Sequence, residues 1–339
     1  MRRWLILWVV FSAAVPVTAQ SDLQVLLLSG LEDSRTFAED YLRPGTEAAI
    51  YNLSSGWYHT AEVKKPLRFE ISIVGNASLQ LSDHQSFFLD TDQYNNLEFT
   101  DGASGREVAT VFGTNAEGIE VESVYTSSSG EEKVSVFELP GGIGETDINY
   151  FPLAFLQARL GIFKGTEIKA RYFPKINYND VEAGLFGAAL QHEITSWVPG
   201  ADLWPVSVAG LVGYTQMKGQ YDFTNQDRVE GENQILKTII DSWIYSAIVS
   251  TKIPFFNVHG GIGYASGSSA TEMRGTYEIF DGETGETLLI VENPIKVDHE
   301  IGDLVGSLGI SFKLGILKLS ADYNFQEYEV VKFGVHVGF

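Results

Sequence analysis

An all-β fold, a transmembrane antiparallel up-and-down β-barrel behind a short N-terminal helical segment, is what this 339-residue sequence predicts, and three features predict it. The last twelve residues, 328–339, alternate: Val331, Phe333, Val335, Val337 and Phe339 fall on one face, Lys332, Gly334, His336 and Gly338 on the other. A period of two is the strand period, and here it separates surroundings as different as lipid and water. The same alternation returns in further stretches upstream. Lastly, the apolar residues after the N-terminus never gather into a run of eighteen, which excludes spanning by helices. Mean hydropathy is near zero, yet 34 Gly, 15 Tyr and 21 Phe accumulate. That is the direction expected of a barrel that shows lipid only every second residue.

The chain opens with Arg2 and Arg3, an apolar run from Trp4 to Val10, and the small residues Val17-Thr18-Ala19 before Gln20. This reads as a secretory signal over residues 1–20, too short for a spanning helix, with an uncleaved anchor as the alternative. The sequence has no Cys, so there is neither a lipid attachment site nor a disulfide, and stability must come from backbone pairing and burial. Formal net charge is −21; without Arg2 and Arg3, 21 basic residues face 44 acidic ones. That balance excludes nucleic acid as a partner, since its binding runs on clustered Lys and Arg. The acidity reads either as a solvated surface or as groups that divalent cations bridge to lipid headgroups.

Between Asp22 and Leu42, Leu23, Leu27, Leu31, Ala38 and Leu42 recur near helical spacing. Ser21 or Asp22 can cap the start and Pro44 is expected to stop the helix, with a second short helical segment over 46–55. Residues 21–62 are therefore expected to form a helical plug or cap, and 63–339 the barrel. The first clear strand carries Leu67, Phe69, Ile71 and Ile73 on one face. A long acidic insert, 82–150, follows; its strand-like pieces at Val108–Phe112, Ile119–Tyr125 and Val134–Leu139 suit a small sheet outside the membrane or hairpin extensions. Further strands are expected at 154–162, 168–172, 181–193, 204–218, 237–251, 254–268, 301–312, 315–326 and the C-terminus. The total is ten, with twelve or fourteen as alternatives drawn from the insert or from 275–296. Short links at 163–165, 252–254 and 313–315 fall at one end, and the long segments 82–150, 219–236 and 269–300 at the other. Short turns inside and long loops outside is the rule for such barrels, so both chain ends are expected in the periplasm and the long loops outside the cell. Trp197, Trp204, Tyr245, Tyr264, Tyr323, Phe325 and Phe339 lie near strand ends, at headgroup depth.

Charges on the second face of a strand must point into a wet or paired lumen, because on the lipid side a basic group costs about 2–4 kcal/mol near the midplane. The expected lumen residues are Arg159, Glu167, Lys169, Arg171, Glu182, Asn257, His259, Lys318, Asp322, Lys332 and His336. They carry both signs, so they would either pair as a polar core or line a pore or cavity. His259 and His336 invite a search for hydrolytic chemistry, but neither sits beside a Ser in a recognisable signature. The run Asp90, Asp92, Asn95, Asn96, Glu98, Asp101 is oxygen-rich, but Tyr94 and a missing Gly break the calcium-loop pattern. No metal site, cofactor or enzymatic activity is expected.

The ending Phe333, Val335, Val337, Phe339 resembles the C-terminal assembly signal of outer-membrane barrels, which implies delivery by the barrel assembly machinery and contact with outer-membrane lipid. The stretches Gly56-Trp57-Tyr58-His59-Thr60-Ala61, Phe163 to Tyr172 with Pro174-Lys175-Ile176, Gly184-Leu185-Phe186-Gly187, and His192 with Trp197-Val198-Pro199-Gly200 resemble an uncharacterised outer-membrane barrel family of Bacteroidota-type bacteria. A helical segment ahead of a barrel is more remotely similar to the hatch-bearing long-chain fatty-acid transporters. The expected function is a plugged channel or transporter for small solutes, hydrophobic ones among them. The alternatives are a filled structural or surface-interaction barrel presenting acidic loops and, third, a lipid-modifying enzyme.

Overall fold

The computed structural model describes residues 26–79, 81–115, 118–126, 131–146, 150–178, 180–222, 231–280 and 287–338. The expected signal segment and Phe339 lie outside them. Among the described residues, ten antiparallel strands close into a barrel. In chain order they are β1 (Phe69–Ser78), β7 (Phe151–Phe163), β8 (Thr166–Tyr178), β9 (Val181–Glu193), β10 (Val206–Asp222), β11 (Gly231–Thr251), β12 (Phe256–Phe280), β14 (Lys296–Leu314), β15 (Leu317–Phe325) and β16 (Val330–Gly338). Each pairs with its neighbour, and β11 closes on β12. The seam lies between β1 and β16, Ile71 opposite Val337 and Ile73 opposite Val335. The C-terminal strand thereby covers the edge that β1 would otherwise leave open.

Strand parity sorts the side chains as the alternation requires. Ile73, Ile262, Leu304, Leu308 and Phe333 are exposed on the outer face, whereas Glu70, Ser72, Asn76, Lys332 and His336 are buried on the inner one. In a soluble protein such a belt would be an association hazard; around a closed barrel it is the surface that lipid covers, and the barrel spans a membrane.

The strands β10, β11, β12 and β14 run well past the lengths expected from alternation. Beyond the apolar belt β12 and β14 bury Met273, Tyr277 and Val297 inward against Leu27 and Ala38 of the N-terminal segment, so the ladder continues while the lipid-facing signal that marks it disappears. Among the described residues the insert contributes no membrane strands: β2 (Ser86–Asp90) pairs with β4 (Gly105–Ala109), and β3 (Leu97–Phe99) with β5 (Glu120–Thr126) and β6 (Glu132–Glu138). Likewise β13 (Thr287–Glu292) pairs only with the far end of β12.

The N-terminal segment departs from expectation at Pro44. One helix, α1 (Leu31–Ser54), runs straight through it. A proline in a helix interior frees the carbonyls of the preceding turn. Here the Val111 N–H donates to the Tyr41 carbonyl at 3.0 Å, so part of what the proline disrupts is answered from the insert. The outer half of α1 packs Phe37 and Tyr41 against Leu89, Leu97, Phe99, Val108, Val121 and Phe137 of the small sheets. Its inner half packs Ala49, Ile50 and Leu53 against the inward residues Val74, Leu153, Phe155, Leu185 and Ile240 of the wall. α1 therefore links the insert to the lumen.

Candidate functional site in the lumen

Beyond Ser54 the chain runs on without regular structure, from Ser55 past Trp57 to Lys65, and enters β1 at the end of the barrel where the short turns lie. An extended backbone away from water cannot leave its N–H and C=O groups unpaired. The wall's inward side chains pair them. Arg171 donates to the carbonyls of Leu53 (2.9 Å) and Ser55 (3.1 Å), where a cation also meets the negative end of the α1 dipole. Its guanidinium lies 3.5 Å from the centre of the Trp57 ring, a favourable cation–π geometry. Lys169 donates to the Trp57 carbonyl at 2.7 Å and to Gln191 at 2.6 Å. Lys332 donates to the Tyr58 carbonyl at 2.5 Å, and Gln191 to those of Thr60 and Ala61, both at 3.1 Å. In the other direction, the Lys64 N–H donates to Glu167 at 2.8 Å and the Val63 N–H to Glu193 at 3.1 Å.

The charges themselves gather into two buried groups. In the first, Glu70 has no solvent exposure and faces Arg159 at 2.8 Å, Lys64 at 3.0 Å, His59 at 3.2 Å and Lys318 at 3.5 Å. Glu167 sits 3.4 Å from both Arg159 and Lys169. In the second, Asp322 lies between Lys332 at 2.7 Å and His259 at 2.5 Å. Between wall and segment, beside Tyr58, a gap of about 20 Å³ remains, room for a single water.

This lumen belongs to a transmembrane barrel of a known sequence family. The chain is a member of the family of unknown function DUF6588, which matches residues 1–339. No curated protein matches it. Solved structures to which it is similar include Ail, the attachment invasion locus protein of Yersinia pestis, at 10% identity, covering 80% of this chain and 97% of that one with a TM-score of 0.25. The translocator domain of the autotransporter NalP from Neisseria meningitidis matches at 11% identity, 96% and 99% coverage and a TM-score of 0.30. A Pseudomonas aeruginosa FadL homologue matches at 10% identity, 92% and 97% coverage and a TM-score of 0.24.

Of the expected lumen residues, Arg159, Glu167, Lys169, Arg171, His259, Asp322, Lys332 and His336 are buried on the inner face. Lys318 and Asn257 line a recess of about 190 Å³ at the short-turn end that reaches His59 and Thr60. Glu182 is a correction: it shares strand parity with exposed Phe186 and Leu190 and pairs with solvent-facing Lys175 at 2.6 Å. A register shift in β8 between Phe173 and Ile176 disturbs the alternation beside it, and a charge near a strand end carries no sign of which face it takes.

The sequence reading missed Glu70, His59, Lys64 and Gln191. Glu70 had a signal: it alternates with Ser72 in the first strand, and a lumen rich in Lys and Arg needs acids of the same parity. His59 had none, because its partner lies in another element.

His59, Glu70 and His336 bring three donor atoms within 4.8 Å of one another, the count a metal would need. The charges there already balance differently: Arg159 lies on the same Glu70 oxygen, and both ring nitrogens of His336 are engaged, by Ser72 at 2.7 Å and Ser320 at 2.9 Å. The buried hydroxyls of Ser72 and Ser320 face the lumen side of the wall, away from lipid. In the acidic insert, Asp90 caps a short turn by accepting from Asp92 N–H, and Asp33 of α1 accepts from Asn95 and Asn96 N–H.

Proposed function

We propose that this protein is a plugged channel of the bacterial outer membrane, with chain ends periplasmic and long loops extracellular. It is closed at rest and passes small solutes, hydrophobic ones among them, when residues 26–66 move. The observation that carries this reading is that wall side chains hold the irregular stretch from Leu53 to Lys64 by hydrogen bonds to its backbone. Such contacts can be exchanged for water when the segment shifts, because every group involved is polar or charged on both sides. The recess at the short-turn end, which abuts His59 and Thr60, is where displacement would begin.

A second reading, a permanently filled barrel that displays its insert, is favoured by α1 serving as core for both the insert and the lumen. One experiment separates the two. The hydroxyls of Thr60 and Ser250 lie 3.2 Å apart, and the chain has no Cys of its own. Thr60→Cys/Ser250→Cys therefore ties segment to wall. In a planar bilayer the oxidised form should be silent, and reduction should restore conductance steps that grow more frequent when Glu70→Ala is added. Equal conductance in both redox states, or silence in both with Glu70→Ala present, defeats the channel reading.

A further inference from the structure

The outer wall carries a second built feature, independent of the lumen. Near the long-loop ends of β8–β11 a recess of about 490 Å³ opens on the barrel exterior. Two sequence features open it. Pro174 has no N–H to give the ladder, and β8 shifts register between Phe173 and Ile176. Opposite stands Gly184, where a Cβ would lie 3.1 Å from the Lys175 backbone.

Three lysines surround this opening. Lys175 adjoins Gly184, Lys218 is the register partner of Gly184 on β10, and Lys237 pairs with Gln220 on β11. At about 4.8 Å per strand, they lie within a headgroup's width of one another. Glu182 neutralises Lys175, whereas Lys218 and Lys237 have no ion-pair partner among the described residues. Glu272, opposite Lys237 on β12, is held by Arg274, so in a chain of net charge −21 with 23 basic residues in all the lining of this recess, three lysines against one acid, reverses the local sign.

Its surroundings define what would fit. Tyr172 and Phe186 line the recess and are exposed. Towards the apolar belt, the Tyr214 and Trp243 rings pack at a tilt with their centres 4.8 Å apart, and the Asp241 carboxylate is occupied by Tyr214 and Gln216. Ring faces below and unpaired ammonium groups above mark the boundary between hydrocarbon and headgroup.

We infer that this recess binds a phosphate-bearing membrane lipid, its headgroup on Lys218 and Lys237 and its acyl chains along Phe186 and Tyr172. Lysine suits the role as a compact point charge for phosphate. The inference does not depend on whether the lumen conducts.

The test is lipid retention by native mass spectrometry after exchange into nanodiscs, comparing a phosphorylated glycolipid with its dephosphorylated form. Lys218→Gln/Lys237→Gln should weaken retention of the phosphorylated lipid about thirtyfold, from about 1 kcal/mol per lysine. The control Lys164→Gln/Lys313→Gln, at the short-turn end, should leave it unchanged. Gel mobility that shifts on boiling verifies that both variants are folded. Equal retention of the two lipids, equal loss in the control, or displacement by inorganic phosphate alone overturns the inference, as does retention that disappears only when a dimer dissociates.

Discussion

Replacing Glu70 by alanine removes the carboxylate that Arg159, Lys64 and His59 face at 2.8, 3.0 and 3.2 Å, from a position with no solvent exposure. Deleting one member of a buried ion pair costs about 3–5 kcal/mol, because the survivor stays charged and dry. Two details move the value to the lower end. Arg159 keeps Glu167 at 3.4 Å, and the Lys64 side chain, 17% exposed, can turn to water. About 3 kcal/mol remains, a factor of about one hundred and fifty in an equilibrium. His59 and Lys64 belong to the inner segment and Arg159 to the wall, so the loss falls on the docked state of the segment. Thr60→Cys, at a buried position, reports that state through its rate of labelling by a membrane-impermeant maleimide. Where opening is fast relative to labelling, the rate follows the open population. Glu70→Ala should label about a hundredfold faster, and Glu70→Gln should fall between it and the parent. A rise below about threefold, with boiling-dependent gel mobility intact, would refute the claim that Glu70 holds the segment.

Two further outcomes follow from the same contacts. Lys332→Met strands Asp322 with His259 alone and should cost about 3–5 kcal/mol in urea unfolding from detergent. Lys332→Met/Asp322→Leu, which removes the pair together, should recover most of that loss; a double variant as weak as the single one contradicts it. At the rim, burial by itself would raise the Glu47 carboxyl, but hydrogen bonds from His299 and Tyr328 outweigh it and hold the group below its ordinary range. A folded pKa below the unfolded one gives stability that is present above the unfolded value, about 4.3, and lost as pH falls through the folded value. The parent should therefore lose urea resistance faster than Glu47→Gln between about pH 5 and pH 3; parallel curves would remove Glu47 from the acid response.

The barrel was legible because each strand contrasts two solvents along its own length. Val181–Glu193 and the C-terminal strand emerge within a residue or two of the expected bounds for that reason. Legibility stops where the contrast stops. The outer reaches of β10, β11, β12 and β14 rise past the lipid-facing belt, where β12 and β14 bury Met273, Tyr277 and Val297 on the inner face instead, and Pro44 looked like a helix end because its compensating donor, Val111, lies far away in the chain. The inward face of Lys169 or Lys332 could be read from parity. That their ammonium groups meet the carbonyls of Trp57 and Tyr58 could not, since no periodicity links a strand to an irregular segment.

That distinction bears on what inward charge means. A row such as Arg159, Lys169 and Arg171 satisfies equally a pore that water fills and a lumen that the chain's own backbone fills, because carbonyl groups and water both accept from a cation. The two differ in the arrangement of the acids. In an aqueous pore the acids could stand apart, each solvated alone. Here Glu70, Glu167 and Asp322 each lie within ion-pair distance of a buried cation, while Arg171 has no acid beside it among the described residues and uses the end of α1 instead. Withdrawal of the segment would leave Arg171 without these acceptors until water replaced them, so in the channel proposed above the closed form would be stabilised by the same side chains that an open form would present to a passing solute.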